Sequence, residues 1–221
     1  MAHSPLVGAS SWLPTARCLE RLGYACEVPS PTGLPPWREW ASAVAALVQR
    51  RGDDVVVVGH SAAGLLLPAI ADAHSAAVLV FVDARIPPET GTAAPADDEF
   101  MGFLRRLADR AGVLPPWSHW WGEGIIDALI PDIAVRRVFE ADLPRLPLAW
   151  FDDTADVPRW QQRPSAYVQL SALYASEADQ ACSRGWPVEQ LDGTHVHAVT
   201  HPDAVAAAIH ATIERIQGPS G

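Results

Sequence analysis

The sequence predicts an α/β fold, a doubly wound and mostly parallel sheet, on three observations. Val55-Val56-Val57-Val58 is a run of β-branched residues with no polar alternation, the mark of a strand covered on both faces. Ala77–Val82 is a second wholly apolar run, ending at Asp83. Strand-like and helix-like stretches alternate around these two at a short period, which is how parallel strands joined by crossover helices read.

The elements follow in order. Residues 4–9 are a short apolar piece, too brief for a full strand. Trp12–Leu22 carries apolar residues at Leu13, Ala16 and Leu19 and reads as a helix that Gly23 stops. Tyr24–Val28 resembles a buried strand, and Pro29–Pro36 is a loop dense in Pro, Ser and Gly. Helical spacing returns over Trp37–Arg50 through Trp40, Val44, Leu47 and Val48. Asp53 and Asp54 lead into the valine strand, which runs into Gly59-His60-Ser61-Ala62-Ala63-Gly64 and then an apolar helix, Leu65–Ala73. The pattern breaks from about Arg85 to Arg163, a stretch holding the cluster Asp97-Asp98-Glu99 and five of the nine tryptophans. Linkers are poor in Trp and Leu, so this stretch is expected to be a helical cap inserted into a single domain spanning residues 1–221. Regular order resumes with a strand at Ala166–Leu170, a helix at Glu177–Arg184, a strand at Val188–Leu191 and a helix at Pro202–Ile216.

Composition removes several function classes. The net charge of -10 leaves no basic patch for a phosphate backbone, so no nucleic-acid partner is expected. Lysine is absent, which excludes Schiff-base and pyridoxal chemistry on a side-chain amine. Cys18, Cys26 and Cys182 show no metal-ligand or disulfide spacing, and no glycine loop fits a nucleotide, so neither metal nor cofactor is expected. Without an apolar run of membrane length or a secretory leader, the reading is a cytoplasmic protein with no membrane partner.

The turn at Ser61 carries the chemistry. A serine hydroxyl is a poor nucleophile unless a tight turn presents it beside a base and beside backbone N–H donors. Gly59, Ala62, Ala63 and Gly64 are small enough for a strand and a helix to pack closely around such a turn. The motif approaches G-x-S-x-G, with Ala63 at the fifth position and Gly64 one step later. Late in the chain, Gly193-Thr194-His195 precedes His201-Pro202-Asp203 and a helix, and the order Ser then His fits the same pattern.

With Gly59–Gly64, the late histidine and the strand order, the chain resembles the α/β-hydrolase superfamily over most of its length outside the cap. The resemblance implies early strands that are missing or cut short, and oxyanion donors at the Ala62 N–H and at a loop N–H within Leu6–Ala9, where Val7 is favoured. It implies His195 as the base, seven residues before Pro202, while His197 is two residues short of that spacing. His60 is then a packing or pocket residue, and His74, His119 and His210 are expected at the surface. The family's usual acid position, after the strand at Ala166–Leu170, holds Tyr174, so Asp83 at the end of the preceding strand is favoured to orient the imidazole. Glu177, Asp179 or a Ser-His dyad are the alternatives.

The expected reaction is acyl transfer through an acyl-Ser61 intermediate, as a hydrolase, thioesterase or acyltransferase of natural-product biosynthesis that unloads a carrier protein. Trp117, Trp120 and Trp121, with Leu114, Ile125 and Ile126, would roof an apolar acyl site or else form the cap's own core. Arg105, Arg106, Arg110, Arg136 and Arg137 could face an acidic carrier. A lyase or cyclase on the same scaffold, and a non-catalytic binder, are the competing readings.

Overall fold

A computed structural model describes residues 1–49, 52 and 54–218. A four-stranded parallel sheet forms its centre: β1 (Val56–Ser61), β2 (Val78–Ala84), β5 (Ser165–Gln169) and β6 (Val188–Gln190), in the order β1-β2-β5-β6. Alternate side chains enter two cores. Val57, Leu79, Phe81 and Tyr167 point to one face, while Val58, Val80, Val82, Ala166 and Val168 point to the other. The first face is covered by α2 (Trp37–Leu47), α3 (Leu67–His74) and α7 (Ala175–Ser183), the second by α1 (Leu13–Arg21) and α9 (Pro202–Gln217). Helices on both faces make the sheet doubly wound, and they explain why its strands carry no polar alternation.

The N-terminal contribution to the sheet is a single parallel bridge between Ala2 and Gly59. Tyr24–Val28, expected as a strand, forms no ladder. Its Tyr24, Cys26 and Val28 side chains pack on the second core, and the Met1 amine donates to the Glu27 carbonyl at 2.6 Å. Apolar composition here is satisfied by side-chain packing without strand pairing. Helix α2 ends at Leu47, earlier than expected, and Arg50 and Asp53 lie outside the described residues.

Between β2 and β5 the chain leaves the sheet. It forms α4 (Asp98–Leu107), α5 (Ile125–Leu129) and α6 (Ile133–Ala141), with α4 and α6 capped by the Asp97 and Asp132 carboxylates. The stem of this insertion is not helical. β3 (Gly91–Ala93) and β4 (Ala155–Val157) pair antiparallel and tie its two ends together. Trp120, Leu114 and Ile126 are buried in its interior. His74, expected at the surface, is 1% exposed because α3 turns it into the protein, and His210 on α9 is held by the Tyr24 hydroxyl at 2.8 Å. Among the described residues no helix is long and apolar enough to cross a membrane.

Candidate active site

Ser61 ends β1 with φ 59° and ψ -130°, a left-handed conformation that a non-glycine residue adopts only when its surroundings enforce it. The surroundings are tight. A Cβ placed on Gly64 would sit 2.2 Å from the Arg85 carbonyl oxygen and 2.9 Å from the Ala84 Cβ, so the glycine of the motif is required where the turn meets the end of β2. The Arg85 N–H donates to the Ser61 carbonyl at 3.2 Å and ties the two strand ends together. Ala62 opens a single-turn 3-10 segment, where backbone N–H groups lack an acceptor within the turn.

Asp83 lies one strand away. The β1–β2 register passes from His60 opposite Val82 to Ser61 opposite Ala84, so Asp83 is the residue the ladder skips. This bulge, with φ 43°, turns the Asp83 carboxylate out of the sheet's alternation. Tyr167 secures the next residue from both sides: its hydroxyl donates to the Ala84 carbonyl and accepts from the Ala84 N–H, each at 2.9 Å. The Asp83 carboxylate is fully buried and fully satisfied. Oδ1 accepts from the Leu170 and Ser171 N–H groups at 2.8 and 2.9 Å, and Oδ2 accepts from the Ser171 hydroxyl at 2.6 Å and from His195 Nδ1 at 2.7 Å. Burial pushes its pKa up, but the hydrogen bonds and charge of His195, with the Ser171 hydroxyl, outweigh this and hold it below the ordinary value.

His195 follows β6 in the loop before α8 (His197–Thr200). Its imidazole is gripped on three sides. Asp83 takes Nδ1, the His60 ring lies against one neighbour position with centroids 4.3 Å apart, and the Tyr174 ring stacks at 5.1 Å and 11°. His60 also donates from Nε2 to the His195 carbonyl at 2.9 Å. Burial, then the proximity of His195, lowers the His60 pKa to about 3, so this ring is a neutral support.

The Ser61 hydroxyl lies 3.4 Å from the Tyr174 hydroxyl, and no hydrogen bond joins it to His195. Ser61 and His195 nevertheless border the same cavity of about 1070 Å³. The apolar part of its wall includes Phe100, Phe103, Trp117, Trp121, Ile125 and Leu173.

Of the residues expected to form the site, Ser61, Ala62 and His195 line the cavity, Asp83 is bonded to His195, and Val7 lies in the loop beside them. The Val7 N–H donates to the Ser4 carbonyl at 3.0 Å, closing a turn, and is committed to it. Leu6 borders the cavity, and its N–H donates to the Ser4 hydroxyl at 3.3 Å. The insertion braces this loop, since the Asp142 carboxylate accepts from the Ser10 N–H at 2.8 Å and crowds Gly8 so closely that a Cβ there would lie 2.1 Å from it. Tyr174 is the residue sequence reasoning placed but gave no task. Its signal was present, a tyrosine at the position of an expected acid.

A nucleophile turn, a buried carboxylate on an imidazole and a parallel sheet between helical layers define a hydrolase-class protein. The family model for the α/β hydrolase family matches residues 3–208, and the chain belongs to that family. Solved structures agree in fold. An extracellular α/β-hydrolase from a Paenibacillus species superposes with TM-score 0.72 at 18% identity, covering 96% of each chain. A methylesterase from Arabidopsis follows with TM-score 0.60 at 14% identity, over 96% of this chain and 97% of its own. The thioesterase domain from the curacin biosynthetic pathway gives TM-score 0.58 at 15% identity, over 95% of this chain and 89% of its own. No curated protein matches the sequence.

Proposed function

We propose that the protein hydrolyses an ester or thioester of an apolar or aromatic acyl group through an acyl-Ser61 intermediate. The observation that carries this reading is the 2.7 Å hydrogen bond from His195 Nδ1 to a buried, bulge-mounted Asp83, on an imidazole that shares a cavity with a strained Ser61. Asp83 keeps the Nδ1 proton in place, which leaves Nε2 as the acceptor for the Ser61 proton. The Ser61 oxygen attacks the acyl carbonyl, and the Ala62 and Leu6 N–H groups receive the oxyanion. His195 returns the proton to the leaving alcohol or thiol, then takes one from the water that releases the acid.

The acyl preference rests on the aromatic wall. Trp121 and Ile125 are 41% and 43% exposed at the cavity, which an apolar ligand would cover. A cavity this open admits water, so hydrolysis is favoured over transfer to a second acceptor. Release from a carrier protein is the narrower form of the reading, and it draws on the likeness to a biosynthetic thioesterase domain. Arg136 would contribute little to carrier docking, because it is engaged by Asp127 at 3.2 Å and by the Ile130 carbonyl at 3.0 Å. Arg105, Arg106, Arg110 and Arg137 stay exposed.

Intact-protein mass after incubation with a fluorophosphonate, and with aryl and alkyl esters and thioesters, tests the proposal. An adduct on the wild type and none on Ser61→Ala or His195→Ala is expected. A wild type without an adduct sinks the serine-nucleophile reading and leaves a lyase or a binding protein on this scaffold.

A further inference from the structure

Among the described residues, Tyr174 is the polar side chain hydrogen-bonded to the Ser61 hydroxyl, and the acyl-transfer scheme leaves it without a task. It ends a short 3-10 turn, Ala172–Tyr174, immediately before α7, and Ser171 at the start of that turn is fixed on Asp83 through both its N–H and its hydroxyl. The carboxylate that orients His195 therefore also anchors the turn that carries Tyr174. The phenol lies flat along the imidazole, 11° from parallel, and its oxygen stands 3.4 Å from Ser61 Oγ. Burial pushes the phenol pKa up to about 12, so the hydroxyl keeps its proton at neutral pH and can donate.

We propose that Tyr174 is a catalytic hydrogen-bond donor to Ser61 Oγ when that oxygen departs from the acyl group in deacylation. The inference rests on the acyl-Ser61 reading and adds a residue to it. Water attacks the acyl carbonyl while His195 takes its proton. The tetrahedral intermediate then collapses, the bond from carbon to Oγ breaks, and Oγ recovers a proton from the imidazolium. Tyr174 keeps its own proton throughout and stabilises the charge that Oγ carries before it is reprotonated.

The two half-reactions should feel this donor unequally, because a hydrogen bond accelerates a step only as far as it strengthens on the way to the transition state. In the acyl-enzyme, Oγ is an ester oxygen and a weak acceptor, and on departure it becomes alkoxide-like and a strong one. In acylation Oγ starts as a hydroxyl already 3.4 Å from the Tyr174 hydroxyl, in a contact where either group can donate, so the gain is smaller.

Tyr174→Phe keeps the ring against His195 and removes only the hydroxyl. With a p-nitrophenyl ester, burst kinetics give acylation and deacylation separately, and quenched samples give the acyl-enzyme by mass. The expected result is deacylation slower by ~10- to 100-fold, acylation slower by no more than about threefold, and acyl-Ser61 accumulating to a higher steady-state level. Equal slowing of both steps would make Tyr174 a packing residue and overturn the assignment, as would unchanged deacylation. A wild type that forms no acyl-enzyme would instead remove the underlying reading, and fluorophosphonate labelling of the wild type separates that case from the others.

Discussion

His60 donates its Nε2 proton to the main-chain carbonyl of His195 at 2.9 Å while its ring lies 4.3 Å from the His195 ring, so one histidine holds both the backbone and the face of the other. Trp12 meets the His60 ring edge-on at 5.9 Å. The support works only while His60 is neutral, since a second proton would place a buried cation beside the base.

This arrangement sets the acid response of the fold. The His60 pKa is lowered from 6.5 to about 3, so the stabilisation from its neutral form is complete above pH 6.5 and is lost as pH falls toward 3. Asp83, also lowered, adds a loss as pH falls below the ordinary carboxylate value of 3.8. Denaturant unfolding as a function of pH should show stability declining by up to about 1.4 kcal/mol per pH unit from His60 alone between those limits. His60→Gln should flatten the slope between about pH 6 and pH 4, and an unaltered slope in that variant would refute the assignment.

Asp83→Asn should preserve the fold and remove most of the activity. The amide oxygen can still accept from the Leu170 and Ser171 N–H groups, but an amide NH2 facing His195 requires Nδ1 to accept and moves the imidazole proton to Nε2. The wrong tautomer cannot take the Ser61 proton, and kcat on an activated ester should fall by about four orders of magnitude. A fall of less than about tenfold would assign the orienting role elsewhere.

The glycines flanking Ser61 should differ in their tolerance of a methyl group. Gly64→Ala drives a Cβ into the Arg85 carbonyl, which is backbone, and should cost about 2 kcal/mol or more and weaken acylation as well. Gly59→Ala meets only the Leu67 side chain, at 2.5 Å, which can shift, and should be the milder change. Thermal unfolding of the two variants measures the difference, and a reversed order would show that β2 does not constrain the nucleophile turn.

Two neighbouring tryptophans should separate binding from folding. Trp121 is 41% exposed at the cavity, so Trp121→Ala should raise KM severalfold for bulky aromatic esters, leave KM for acetyl esters nearly unchanged, and scarcely alter Tm. Trp120 is 4% exposed and donates from Nε1 to the Pro115 carbonyl at 2.7 Å, so Trp120→Ala should cost about 3 kcal/mol or more through the cavity it leaves. Matching effects of the two changes on KM and on Tm would dissolve this division.

How far the molecule was legible depended on the kind of force that shapes each part. Strands buried on both faces announce themselves through unbroken apolar runs, and β1 and β2 brought Ser61 and Asp83 to the sheet's end with them. His195 was picked out through the family resemblance, whose loop pattern sets the histidine's distance from Pro202. Features set by one or two hydrogen bonds were not. Whether Val7 or Leu6 presents an N–H to the cavity turns on a single bond to the Ser4 carbonyl, and no residue pattern encodes that choice. The β3–β4 stem is three residues on each side, too short for periodicity. Tyr24–Val28 has the composition of a strand but no neighbouring ladder to join, and the burial of His74 is set by tertiary packing around α3.

Asp83, the acid of the proposed mechanism, stands on a bulge of β2 beside the strand that carries Ser61, and not on the turn that follows β5. Two of the groups the proposed mechanism must keep aligned are thereby fixed to a pair of hydrogen-bonded strands buried on both faces. Ala172 and Leu173 are left free of that duty, with Leu173 78% exposed at the rim of the cavity, while Tyr174 is stacked on His195. The side chains of Ala172 and Leu173 can be exchanged without dismantling the proton-handling apparatus. These two positions are therefore where directed evolution should first look for altered selectivity, with Ser171, Tyr174 and the β2 bulge held constant.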